Sequence, residues 1–91
     1  MPLEQIKMRG YRDDSPNVLC MVGNATLEVL PELGSEFKLG DWFVSEAVET
    51  VLGHHVNIYG PYAKMNDAMQ DAHERFGVTS FREPFSELIY T

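Results

Sequence analysis

The residues of this chain that could do chemistry are three histidines, one cysteine and fourteen carboxylates. His54 and His55 are adjacent, and His73 precedes Glu74. Two histidines and a carboxylate can hold zinc where a fold brings them together. Neighbouring residues of a strand point to opposite faces, so only one of His54 and His55 could join His73. No recognised ligand spacing is present, so surface or capping roles are expected for all three and no metal is expected. Cys20 would act as a nucleophile only as a thiolate with a base in reach. It lies in the apolar run VLCMV without a charged neighbour, which suits a small buried hydrophobe. No catalytic residue, metal or cofactor is therefore expected, and the chain reads as a non-enzyme.

The loop Tyr59-Gly60-Pro61-Tyr62-Ala63-Lys64 precedes an expected helix, and a helix N-terminus can bind an anion. The dinucleotide and phosphate-loop fingerprints need several glycines at fixed spacing. Here there is one, so Gly60-Pro61 reads as a strand-to-helix turn.

The acids are the more informative group. Asp67, Asp71 and Glu74 line one edge of that helix, and Glu46 and Glu49 share the open face of a second expected helix. Side by side, these faces would make a negative surface able to imitate a phosphate backbone. Tyr59 and Tyr62 stand beside it, and tyrosine is a frequent interface anchor; Trp42 reads as core. An ordinary solvated face is the plainer account of such a run. Like charge at Asp67 and Asp71 costs only ~0.2–0.5 kcal/mol at that spacing, too little to demand a functional reason.

The net charge of −7 is uneven. Lys7, Arg9 and Arg12 outweigh Glu4 at the start, whereas residues 13–62 hold eight acids and only Lys38. A field of this sign repels nucleic-acid phosphates and favours basic partners. The expected partner is thus a protein with a basic, possibly nucleic-acid-binding surface, with no direct binding of nucleic acid. In size and charge the chain is comparable to small inhibitors of nucleic-acid-handling machines and to proteins of phages and mobile elements. A small ligand-sensing or regulatory homodimer, or a minor component of an assembly, are the alternatives. No apolar run approaches the ~20 residues needed to span a membrane, and MPLEQIKMRG lacks the apolar segment of a signal peptide. A cytoplasmic location is the expectation, and Asn24-Ala25-Thr26 is then a chance glycosylation match.

These groups must be positioned by a small scaffold, since 91 residues make one domain, 1–91. The expected class is α+β: a mostly antiparallel sheet of about four to five short strands packed on two helices, 41–52 and 64–76. Residues 4–12 alternate as a strand with one wet face. Val18 to Val22 reads as a buried strand, and Gly23-Asn24 as a tight hairpin turn into a strand over 25–30 ended by Pro31. Phe37 and Leu39 are expected to dip into the core. Asp41 suits an N-cap, and Phe43, Val44, Ala47, Val48, Val51 and Leu52 recur at the spacing of one helical face before Gly53. The competing reading of 41–52 is a β-hairpin arm, because Trp42, Phe43 and three valines favour strands. Alternation would place Glu46 among Trp42, Val44 and Val48, which favours the helix. HHVNIY reads as a short strand. Met65, Ala68, Met69, Ala72 and Phe76 form the stripe of the helix that ends at Gly77, capped from Asn66 or just before it. A last strand is expected over Val78–Phe81, and Phe85, Leu88, Ile89 and Tyr90 are expected to dock the tail on the body or on a partner.

Overall fold

The computed structural model describes residues 4–82, so the expected docking of Phe85, Leu88, Ile89 and Tyr90 lies outside them. Within these residues the chain forms β1 (Lys7–Tyr11), β2 (Val18–Asn24), a 3-10 turn (Leu30–Glu32), β3 (Trp42–Thr50), β4 (Gly53–Tyr62), α1 (Met65–Phe76) and β5 (Ser80–Arg82). The five strands make one antiparallel sheet in the order β4-β3-β2-β1-β5, packed against a single helix.

The expected helix over 41–52 is therefore corrected to a strand. The β-favouring side chains Trp42, Phe43, Val44 and Val48 prevail there. Glu46 is accommodated because Asn57 and Tyr59, both on β4, donate hydrogen bonds to its carboxylate, each at 3.3 Å. A carboxylate so bonded at the margin of an apolar face is tolerable. Gly53 is not a helix cap but part of a hairpin turn, with φ +124°. Asp41 caps no helix either; its carboxylate accepts from the Lys38 backbone N–H at 2.9 Å.

The expected Gly23-Asn24 hairpin is also absent. Residues 25–40 leave the sheet through turns and the 3-10 turn, then return to β3. Asn24 is fixed at the point of departure. Its side-chain oxygen accepts from the Ile6 N–H at 2.8 Å, and its amide donates to the Glu4 carbonyl at 2.8 Å. Thr26 donates to Gln5 Oε1 at 2.7 Å. With Asn24 and Thr26 both buried, the Asn-Ala-Thr tripeptide is structural in the folded chain. Phe37 is core as expected, but Leu39 is exposed.

One face of the sheet carries the core. Met8, Val22, Val44 and Tyr59 lie side by side across β1 to β4, and α1 lays Ala68 and Ala72 onto them. Both alanines are fully buried, and their small side chains let the helix approach closely. Met65, Met69 and Phe76 complete the expected stripe as partly buried neighbours. Lys64 stands at the N-cap without a side-chain bond, so the helix lacks the cap expected near Asn66. Gly77 ends it at φ 75°, donating to the His73 carbonyl. Gly10 faces the same core. A Cβ there would lie 3.0 Å from both Val78 methyls and 3.1 Å from the Cys20 sulfur.

Beyond its pairing with β2 over Trp42–Ser45, β3 continues with β4 alone as far as the Thr50–Gly53 pair. Residues 46–57 thus project as a two-stranded arm. Its tip, Val51 and Leu52, is 102% and 96% exposed.

Candidate functional site

The expected site residues are Asp67, Asp71, Glu74, Glu46, Glu49, Tyr59 and Tyr62. Four of them, Glu46, Tyr59, Tyr62 and Asp71, meet along the seam between β4 and α1. Simple alternation would put Tyr59 and Tyr62, three residues apart, on opposite faces of their strand. The register shows why it does not. Val44 pairs Tyr59 and Trp42 pairs Tyr62, so β4 has one extra residue over this interval. This bulge at Gly60-Pro61 turns both tyrosines toward the helix. Gly60 and Pro61 are therefore inside a strand, not in the turn expected from their types. Gly60 has φ +128°, and its missing side chain makes room for the Phe37 ring.

Arg75 joins the cluster. Its Nε and Nη2 donate to the two Asp71 oxygens at 3.1 and 3.2 Å, and its guanidinium lies 4.0 Å from the centre of the Tyr59 ring. Such stacking contributes ~0.5–1 kcal/mol at partly exposed sites. Tyr59 packs edge-on against Phe76 at 5.9 Å between ring centres and donates its hydroxyl to Glu46. Burial and the nearby Asp71 carboxylate push the Tyr62 pKa up to about 12. Burial alone would raise the Asp71 pKa, but the hydrogen bonds from Arg75, with the nearby Tyr62 hydroxyl, outweigh it and hold the carboxyl below its ordinary value. The seam is thus a fixed polar and aromatic surface whose donors and acceptors mostly serve one another. The four-residue spacing of Asp71 and Arg75 signals this pair in the sequence; the stacking on Tyr59 and the roles of Asn57 and Tyr62 have no signal there.

A carboxylate stabilised in this way contributes stability that is complete above its unfolded pKa, about 3.9, and is lost as pH falls through the lower folded value. Thermal unfolding followed from pH 6 to pH 2 should show the wild type losing stability at the acid end. Asp71→Asn should be less stable at pH 6 and lose less on acidification. Parallel curves for the two proteins would remove Asp71 from this role.

The remaining expected site residues lie elsewhere. Asp67 and Glu74 are exposed on α1, and Glu74 accepts only from Gln70, at 3.4 Å. Glu49 is on the arm, 3.9 Å from His54. The histidines do not converge. His54 and His55 are on the arm, where His55 Nε2 bonds Asn57 Oδ1 at 2.8 Å. His73 Nδ1 bonds the Val78 carbonyl at 2.7 Å, at the far end of α1. Among the described residues no three His, Cys, Asp or Glu side chains are placed to share a metal ion. Cys20 is 2% exposed. Burial, with Glu46 and Asp71 adding repulsion, pushes its thiol up to about 11, so it stays protonated at neutral pH.

The opposite face of the sheet holds a half-open pocket of about 270 Å³. Met21, Phe43, Val56 and Ile58 form its floor, Val29 and Leu33 a wall, and Lys7, Glu32 and Ser45 its polar rim. No helix among the described residues is long and apolar enough to cross a membrane. Comparison with family models, curated proteins and solved structures returns no match.

Proposed function

We propose that the chain is a non-enzymatic acidic binding protein, an inhibitor or modulator that docks on a basic surface of a partner protein. The observation that supports this reading is the seam itself. Tyr59, Glu46 and Asp71 are held in place by Arg75 and Asn57, with Tyr62 packed on the same core, at the edge of a helix whose outer acids, Asp67 and Glu74, have no cationic partner among the described residues. A surface fixed before contact loses little side-chain freedom on binding. The acids divide accordingly: Asp71 holds the surface together, whereas Asp67 and Glu74 offer free charge. Where the partner ordinarily binds nucleic acid, these carboxylates would occupy places meant for phosphates, and the mechanism is competition.

The experiment is capture of the partner from the native host on the immobilised chain at low and high salt, followed by measurement on the purified pair. Asp67→Lys with Glu74→Lys should weaken binding by at least ~10-fold and flatten its salt dependence, with the melting temperature unchanged. An unaltered affinity and salt slope in this double variant would reject the helix face as the docking surface. A second reading, a small-ligand domain, draws on the pocket of the opposite face. Its 270 Å³ falls just under the ~300–1,000 Å³ usual for ligand sites, which places that reading second.

A further inference from the structure

The arm runs into the pocket, whose floor it shares through Phe43, Val56 and Ile58. The Val51-Leu52 tip is fully exposed, yet nothing in the turn calls for apolar residues. Both have negative φ and Gly53 carries the positive one, a geometry that most residue types accept. A two-stranded ribbon that stands alone is marginal in water, and this one adds an exposed Val56 to its apolar tip. On the same face, nearer the body, is the half-open apolar pocket floored by Phe43 and Ile58.

The tip cannot fill its own pocket, because Leu52 is four residues before Val56, the pocket's near edge, roughly 13 Å at ~3.3 Å per residue. We infer that a second copy of this chain fills it: two arms cross face to face and antiparallel about a two-fold axis near the Ala47–Val56 pair, each tip seated in the other copy's pocket. The layout is self-complementary, as a two-fold contact requires. The Ala47–Val56 row is small and apolar and lies between the tip and the far end of the pocket at Phe43, with Val56 forming the pocket's near edge. On the tip side the next row is Glu49–His54; on the pocket side it is Ser45–Ile58, with Lys7 and Glu32 at the rim. Neither Lys7 nor Glu32 has a charged partner among the described residues. Crossing the arms brings the acid of one copy toward the lysine of the other, and His54 toward Glu32. The acidic seam lies on the opposite face of the sheet and stays open, so the dimer does not depend on the partner proposed above.

Sedimentation equilibrium on the full chain should give twice the 10.3 kDa chain mass. Val51→Ser with Leu52→Asn should raise the dimer dissociation constant on the order of 100-fold while the circular dichroism spectrum stays the same. Lys7→Glu and Glu49→Lys should each weaken the dimer, and the two together should restore part of it. A monomer throughout the micromolar range would overturn the inference. A dimer indifferent to the tip variant would do so equally, as would a monomer that retains a small molecule in the pocket.

Discussion

Gly10→Ala is expected to destabilise the fold by about 1–3 kcal/mol, the usual cost of adding a methyl group to a filled core. The new Cβ would lie 3.0 Å from both methyls of Val78 and 3.1 Å from the sulfur of Cys20. Val78 is 1% exposed and Cys20 2%, so neither can swing into solvent. Gly10 is paired on both sides, with Cys20 on β2 and Phe81 on β5, so its backbone cannot retreat without loosening two ladders. For a domain of 60–100 residues, each kcal/mol lowers the melting temperature by roughly 4–8 °C. The mechanism has a specific signature. Val78→Ala opens the space that the added methyl needs, so the double variant should be less impaired than the two single losses combined, with a coupling of ~0.5–3 kcal/mol. An unchanged melting temperature in Gly10→Ala, or strict additivity in the pair, would mean that close packing is not what selects glycine there.

Cys20 should resist thiol reagents in the folded protein. The thiolate is the reactive species, and a rise of the pKa from 9.0 to about 11 leaves about 100-fold less of it at neutral pH. Burial blocks access as well, so a maleimide should label the native chain more than ~100-fold slower than the chain in denaturant. The residual rate should follow the opening of the fold and rise in Gly10→Ala, whose added methyl presses on the same sulfur. The pH dependence has a definite sign. A thiol whose folded pKa lies above its unfolded value favours the folded state fully below about 9 and loses that contribution as pH rises toward 11. The loss of stability between about pH 8 and 11 should therefore be smaller in Cys20→Ala than in the wild type, whatever the cavity costs at neutral pH. Rapid native labelling at neutral pH would show that Cys20 is neither shielded nor held neutral.

Some of this is readable from residue types because the forces are local. The helix from Met65 to Phe76 repeats apolar residues at helical spacing and stops at a glycine that can take the left-handed conformation. The run around Cys20 is too apolar for a wet strand and too short for a helix. The 41–52 segment shows where local reading fails. Its apolar residues satisfy a helical face and a strand face almost equally, and by alternation alone Glu46 breaks the tie against the strand. The tie is in fact broken by Asn57 and Tyr59, eleven and thirteen residues further along, which bond that carboxylate. Gly23-Asn24 fails for a similar reason: Asn24 is bonded to residues 4–6 and not to a hairpin. The same limit applies to the acids. Spacing puts Asp67, Asp71 and Glu74 on one edge and marks Asp71 as the partner of Arg75; that Arg75 also stacks on Tyr59 of β4, and so ties Asp71 into the seam, is not visible in it.

The sequence by itself determined an α+β chain of acidic character, with an antiparallel sheet, a helix closing at Gly77, a buried Cys20 and no recognised ligand spacing. These properties follow from propensity, periodicity and charge, which act between residues near one another in the chain. The tertiary structure decided that the second expected helix is a hairpin arm, that a bulge turns Tyr59 and Tyr62 to the same side, and that the acids serve different ends. Each of these depends on contacts with another strand or helix, and such neighbours meet only once the sheet has formed.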